Sequence, residues 1–122
     1  MCIRDRVWDV PPEALEPFVR EARATGAAGN VTIPHKEAVA AACDRLTALA
    51  QRVGAVNTFW MEGGVLVGDN TDVEGFQHAA RTLLGRQPAG ITVGLLGAGG
   101  AAAAGAPIFS PISPRAERAR GP

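Results

Sequence analysis

At 122 residues the chain has room for one compact domain, or for one domain and part of a second. Hydrophobic side chains make up 47% of it and the mean hydropathy is +0.07, so a core is available. The 12 basic and 12 acidic side chains cancel, which leaves no electrostatic footprint for nucleic acid or for an anionic membrane surface.

Cys2 and Cys43 build no disulfide framework, and neither stands at a metal-ligand spacing from His35 or His78, so no metal is expected. The sequence has no apolar run long enough to span a bilayer and no signal peptide, which points to a cytoplasmic protein. The 15 glycines and the absence of tyrosine suggest tight turns and a site that binds through backbone groups.

Residues 1–6 fit no periodic pattern and read as a non-native scar, outside the fold. From Pro11 the pattern is helical, with Leu15, Phe18, Val19 and Ala22 recurring at helix spacing and Gly26 as the stop. The β-branched run Val31-Thr32-Ile33 then predicts a strand over residues 30–33, which Pro34 ends while opening a helix. Lys36 falls in that helix's first turn, where the macrodipole disfavours a cation by about 0.3–1 kcal/mol. A solvated surface lysine would satisfy the spacing, but a cation set against its local field beside Asn30 and Thr32 has the character of a site.

Asp44 reads as the N-cap of a helix over 46–53 that stops at Gly54. Residues 55–61 and 65–68 predict a hairpin joined across Glu62-Gly63-Gly64. Asn57-Thr58 sits inside the first of these strands. Asparagine is depleted in strands because its side chain competes for backbone hydrogen bonds, so Asn57 marks either a bulge or a ligand contact. Asp69-Asn70-Thr71-Asp72 opens a helix carrying Phe76, Ala79, Ala80, Leu83 and Leu84, and four polar residues exceed what one cap needs.

Residues 85–90 read as a linker, and 91–96 as a buried-type strand running into Gly97-Ala98-Gly99-Gly100-Ala101-Ala102. That stretch fits the dinucleotide-binding G-x-G-x-x-G/A pattern, in which glycines let a pyrophosphate approach the backbone at a helix N-terminus. Gly105-Ala106-Pro107 then breaks the helix, and residues 105–122 read as a disordered or foreign tail.

Four stretches together resemble the shikimate dehydrogenase family, in order and at plausible spacing: Gly29-Asn30-Val31-Thr32-Ile33-Pro34-His35-Lys36, Gly54-Ala55-Val56-Asn57-Thr58, Gly68-Asp69-Asn70-Thr71-Asp72, and Gly97-Ala98-Gly99-Gly100-Ala101. The resemblance runs over about residues 10–104. It implies an α/β fold: a three-layer, shikimate-binding catalytic domain with a mixed sheet over 7–87, lacking its first strand. The truncated start of an NADP-binding Rossmann domain follows over 88–104. It implies Lys36 and Asp72 as the catalytic pair, and Asn30, Thr32 and Asn57 as the residues that hold substrate hydroxyls. Gly97, Gly99, Gly100 and Ala101 would lie at the NADP pyrophosphate. The partner implied is a small molecule, shikimate or 3-dehydroshikimate, with neither nucleic acid nor membrane. Such chemistry moves a hydride to or from nicotinamide while a positioned side chain exchanges the hydroxyl proton.

The family's serine pair, its NADP-phosphate-reading loop and its late glutamine have no counterpart, so the chain reads as an internal fragment without activity of its own. A quinate- or aminoshikimate-type paralogue, or a non-catalytic polyol-binding module, are the alternatives; the second would have no use for a proton-exchanging lysine.

Overall fold

The computed structural model describes residues 5–88, 90–94, 96 and 105. The chain divides after Thr71 into two units.

The first unit begins with a 3-10 turn, Pro12–Ala14, that feeds helix α1, Leu15–Thr25. Proline suits this entry because its missing N–H would have had no intrahelical partner. α1 ends on Gly26 in the left-handed conformation (φ 68°), whose N–H reaches the Ala22 and Arg23 carbonyls. Next come strand β1 (Gly29–Asn30), helix α2 (Lys36–Ala42), strand β2 (Arg45–Leu46), helix α3 (Ala48–Val53), and strands β3 (Thr58–Glu62) and β4 (Val65–Asp69). The sheet order is β1-β3-β4-β2. β3 pairs antiparallel with both β1 and β4, whereas β2 pairs parallel with β4. The sheet is mixed, as the resemblance implied.

The β3–β4 hairpin turns on Gly63 and Gly64, at φ 58° and 83°, between the paired residues Glu62 and Val65. Positive φ at both central positions gives the twist that matches right-handed strands, and glycine adopts it without steric cost. Beneath the sheet Val39, Ala40, Ala50, Val56, Phe59 and Leu66 form the core with Ala22 of α1, and Leu15, Val19 and Val31 pack against it. Val56 and Leu66, 0% and 1% exposed, each gain about 1.5–3 kcal/mol from that burial.

Several expectations shift. The strand expected over 30–33 is confined to β1, Gly29–Asn30, and the chain turns at Ile33–Pro34. Asp44 is not an N-cap. Both terminal nitrogens of Arg23 bind its carboxylate, and it also accepts from the Leu66 N–H at 2.8 Å. The Arg23 side chain, and after it the Leu66 N–H, hold that carboxyl below its ordinary range. Residues 45–46 form β2 instead of helix, and the cap of α3 is Thr47, whose hydroxyl accepts from the Ala50 N–H at 3.2 Å. β3 starts at Thr58, so residues 55–57 precede it as a connection.

Two motif glycines owe their place to contact. A Cβ on Gly29 would stand 3.0 Å from the Phe59 ring. On Gly68 it would lie 2.6 Å from Val56 Cγ2, 2.8 Å from Cys43 Sγ and 3.1 Å from Leu46 Cδ2. Gly68 thereby lets α2's end, β2 and the Val56 connection close on β4.

In the second unit α4, Asp72–Leu84, buries Val73. Thr82 donates back to the His78 carbonyl at 3.0 Å, and Arg81 Nε to Gln87 Oε1 at 3.0 Å. Residues 91–94 and 96, expected in a strand, lie in none. Gly97, Gly99, Gly100 and Ala101 fall outside the described residues.

Gly68→Ala should therefore cost about 1–3 kcal/mol through overpacking, read as a lower urea midpoint with an unchanged slope. Gly75→Ala, where nothing lies within 4 Å of the added Cβ, should cost nothing. Equal stability of the two variants would contradict the packing account.

Candidate functional site

Asn57 sits where α3 has ended at Gly54 and β3 has not yet begun. Its backbone joins two parts of the sheet. The Asn57 N–H donates to the Asp69 carbonyl at 3.0 Å, and the Asn57 carbonyl accepts from the Val31 N–H at 2.7 Å, one step beyond β1. Its side chain closes a clasp on Thr71. Nδ2 donates to Thr71 Oγ1 at 2.9 Å, and Oδ1 accepts from the Thr71 N–H at 3.0 Å. Thr58 Oγ1 lies 3.1 Å from Asn57 Oδ1 and 3.1 Å from Asn30 Oδ1.

The lysine is tied to the same frame. Val56, next to Asn57, donates its N–H to the Lys36 carbonyl at 2.9 Å, which fixes the start of α2. The turn leading to Lys36 is closed by the His35 N–H donating to the Thr32 carbonyl at 3.0 Å. Asn30, Thr32, Lys36 and Asn57, spread over 28 positions of the sequence, are thus gathered by backbone bonds within the first unit. Asn30 and Thr32 are exposed; Lys36 and Asn57 are half-buried.

Asp72 is the first residue of α4, directly after the clasped Thr71. Its acidic side chain suits the positive end of a helix. The rest of the polar run has structural work. Asn70, 0% exposed, donates Nδ2 to the Ala55 carbonyl at 2.9 Å. Asp69 accepts from the Thr47 hydroxyl at 2.5 Å, which links it to the cap of α3. The excess over simple capping is thereby explained: two residues brace the fold, Thr71 holds Asn57, and Asp72 begins the helix.

Thr71 and Thr58 are the residues that sequence reasoning passed over. Each stands beside a singled-out residue, and neither spacing nor periodicity reveals that their hydroxyls meet an amide 14 or 28 positions away. His35 is structural, with its Nε2 donating to the Val10 carbonyl at 2.5 Å. Among the described residues no group of three or more His, Cys, Asp or Glu could hold a metal ion, and no helix is long and apolar enough to cross a membrane.

Chemically, the frame offers amide and hydroxyl groups that both donate and accept, and its backbone bonds include the Lys36 carbonyl. That combination suits a small, hydroxyl-rich ligand, each oxygen of which needs a directed partner when water is displaced. The structure thus sets a polar frame of amides and hydroxyls on a mixed α/β domain.

The family model described as the shikimate dehydrogenase substrate binding domain matches residues 3–59. A shikimate dehydrogenase (NADP(+)) of Methanopyrus kandleri is 52% identical over 98 residues, 80% of this chain and 34% of that protein. Among solved structures, the shikimate 5-dehydrogenase of Thermus thermophilus in complex with NADP(H) and shikimate aligns at TM-score 0.66 and 43% identity, covering 81% of this chain and 37% of that one. The ligand-free 5-ketofructose reductase of Gluconobacter sp. strain CHM43 aligns at TM-score 0.68 and 35% identity, over 83% and 36% of the two chains. By these matches the chain is similar, over the matched residues, to the substrate-binding part of shikimate dehydrogenases. The chain spans about a third of the length of the curated relatives it matches.

If the clasp orders Thr71, Asn57→Ala should speed hydrogen exchange at the Thr71 amide about tenfold, the loss of one hydrogen bond worth about 1 kcal/mol or slightly more. The Leu66 and Val67 amides in β4 should exchange as before. Unchanged exchange at Thr71 would show that the clasp holds nothing.

Proposed function

We propose that this chain forms the shikimate-recognising side of an NADP-dependent shikimate dehydrogenase, which interconverts 3-dehydroshikimate and shikimate in the supply of aromatic amino acids. The observation that carries the reading is the convergence of Asn30, Thr32, Lys36 and Asn57 on one hydrogen-bonded frame in the first unit. Those four residues come from two separate family motifs.

In this reading Asn30, Thr32 and Asn57 hold the ring hydroxyls, and Lys36 is the group that exchanges the proton of the reacting hydroxyl. The family pattern adds Asp72 as the second member of the catalytic pair. The nicotinamide cofactor supplies hydride exchange when bound, and Gly97, Gly99, Gly100 and Ala101 are the residues that would hold its pyrophosphate. Residues 7–87 then make the substrate-binding domain, and 88–104 the start of the cofactor-binding one. The balanced charge and the lack of a disulfide framework favour work in the cytoplasm on a small-molecule substrate.

A second reading is a related reductase of another hydroxyl- and keto-bearing substrate. The 35% identity to a 5-ketofructose reductase favours it, since that similarity covers 83% of this chain.

Titration calorimetry of the 122-residue chain separates the two. Shikimate should bind. Thr32→Val should weaken it about three- to tenfold, the scale of one neutral hydrogen bond, without altering the melting temperature. Binding of 5-ketofructose in preference to shikimate would favour the second reading, and shikimate binding indifferent to Thr32→Val would remove Thr32 from the site.

A further inference from the structure

We propose that Thr58 is a positioning residue whose hydroxyl turns the Asn30 amide so that it offers its NH2 group, and hence selects an acceptor oxygen on the ligand. The inference rests on the substrate-site reading above and deepens it.

The strand register creates the contact. Asn30 and Thr58 are directly paired across β1 and β3, so their side chains leave the sheet on one face. Chain adjacency brings Asn57 to the same hydroxyl from the other side. Thr58 Oγ1 therefore stands within hydrogen-bond reach of two amide oxygens, Oδ1 of Asn30 and Oδ1 of Asn57, each 3.1 Å away.

The two amides differ in how firmly they are held. Asn57 is locked by Thr71 at both ends of its amide. Asn30 is exposed at the edge of the sheet, and the Thr58 hydroxyl is what fixes its torsion. A planar amide that turns its oxygen to Thr58 turns its nitrogen away. Asn30 is then a donor of two N–H bonds toward a ligand, and the complementary atom must be a hydroxyl or carbonyl oxygen. Thr58 thus acts as a strut from the fixed amide to the exposed one.

The test is NMR relaxation of the asparagine side-chain amides in the 122-residue chain, with shikimate titrated into the same samples. In the unsubstituted chain the Asn30 amide should keep an order parameter above about 0.6, while that of the exposed Gln51 falls below it. Thr58→Val keeps the β-branched shape but loses the hydroxyl. It should drop the Asn30 order parameter to the Gln51 level, leave that of Asn57 unchanged, and weaken shikimate about three- to tenfold. Thr58→Ser should restore both. An Asn30 amide equally ordered in Thr58→Val, or equally loose in Thr58→Ser, would overturn the proposal. Should Thr58→Val not fold, an Asn30 amide as mobile as Gln51 in the unsubstituted chain would overturn it too. If shikimate fails to bind while Asn30 still loosens in Thr58→Val, the strut stands and the substrate assignment falls.

Discussion

The candidate site depends on the hydrogen bonding of one residue, Asn57. Its N–H and carbonyl reach Asp69 and Val31, its amide closes on Thr71, and the Thr58 hydroxyl meets its oxygen. An asparagine suits this place because it offers a donor and an acceptor on one short, planar group. Aspartate could not donate to the Thr71 hydroxyl, and a longer glutamine would overreach the clasp. The position just ahead of β3 also matters. Inside a regular antiparallel ladder the N–H and C=O of one residue turn to the same neighbouring strand, whereas those of Asn57 bridge β4 and the chain that follows β1.

Packing beneath the frame holds it in place. Val56, immediately before Asn57, is buried completely and presses against Gly68, where any side chain would collide with it. The same Val56 fixes the Lys36 carbonyl. The core thus sets where the polar groups stand, and the glycines of the motifs keep the elements close. Asn70 belongs to this support. Buried without its bond to the Ala55 carbonyl, it would cost about 1–3 kcal/mol, so its amide is both held by the fold and necessary to it.

Much of this was legible in the sequence, and what was not has physical causes. Long periodic signals read well: α1 from Leu15, Phe18, Val19 and Ala22, and the hairpin from its Gly63-Gly64 turn. The two-residue strands β1 and β2 are too short for any period to register. Asp44 was misread because an acidic residue ahead of an apolar run is also what an N-cap looks like; only the fold shows that Arg23, 21 positions earlier, claims its carboxylate. At the site, Asn57 declared itself as a polar residue in apolar surroundings. Thr71 and Thr58 did not, since threonine is ordinary both near strands and before helices. Residues 91–94 and 96 have the composition of a strand and lie in none, since apolar composition alone does not make a ladder.

The central claim is that the frame around Asn57 is where a shikimate-like ligand is read. Amide chemical-shift mapping of the 122-residue chain during a shikimate titration tests it most directly. The account predicts that the saturable shifts cluster at Asn30, Thr32, Lys36, Asn57 and Thr71, with α1 and the Gly63-Gly64 turn unaffected. Saturable shifts centred elsewhere, with those five amides unmoved, would contradict it.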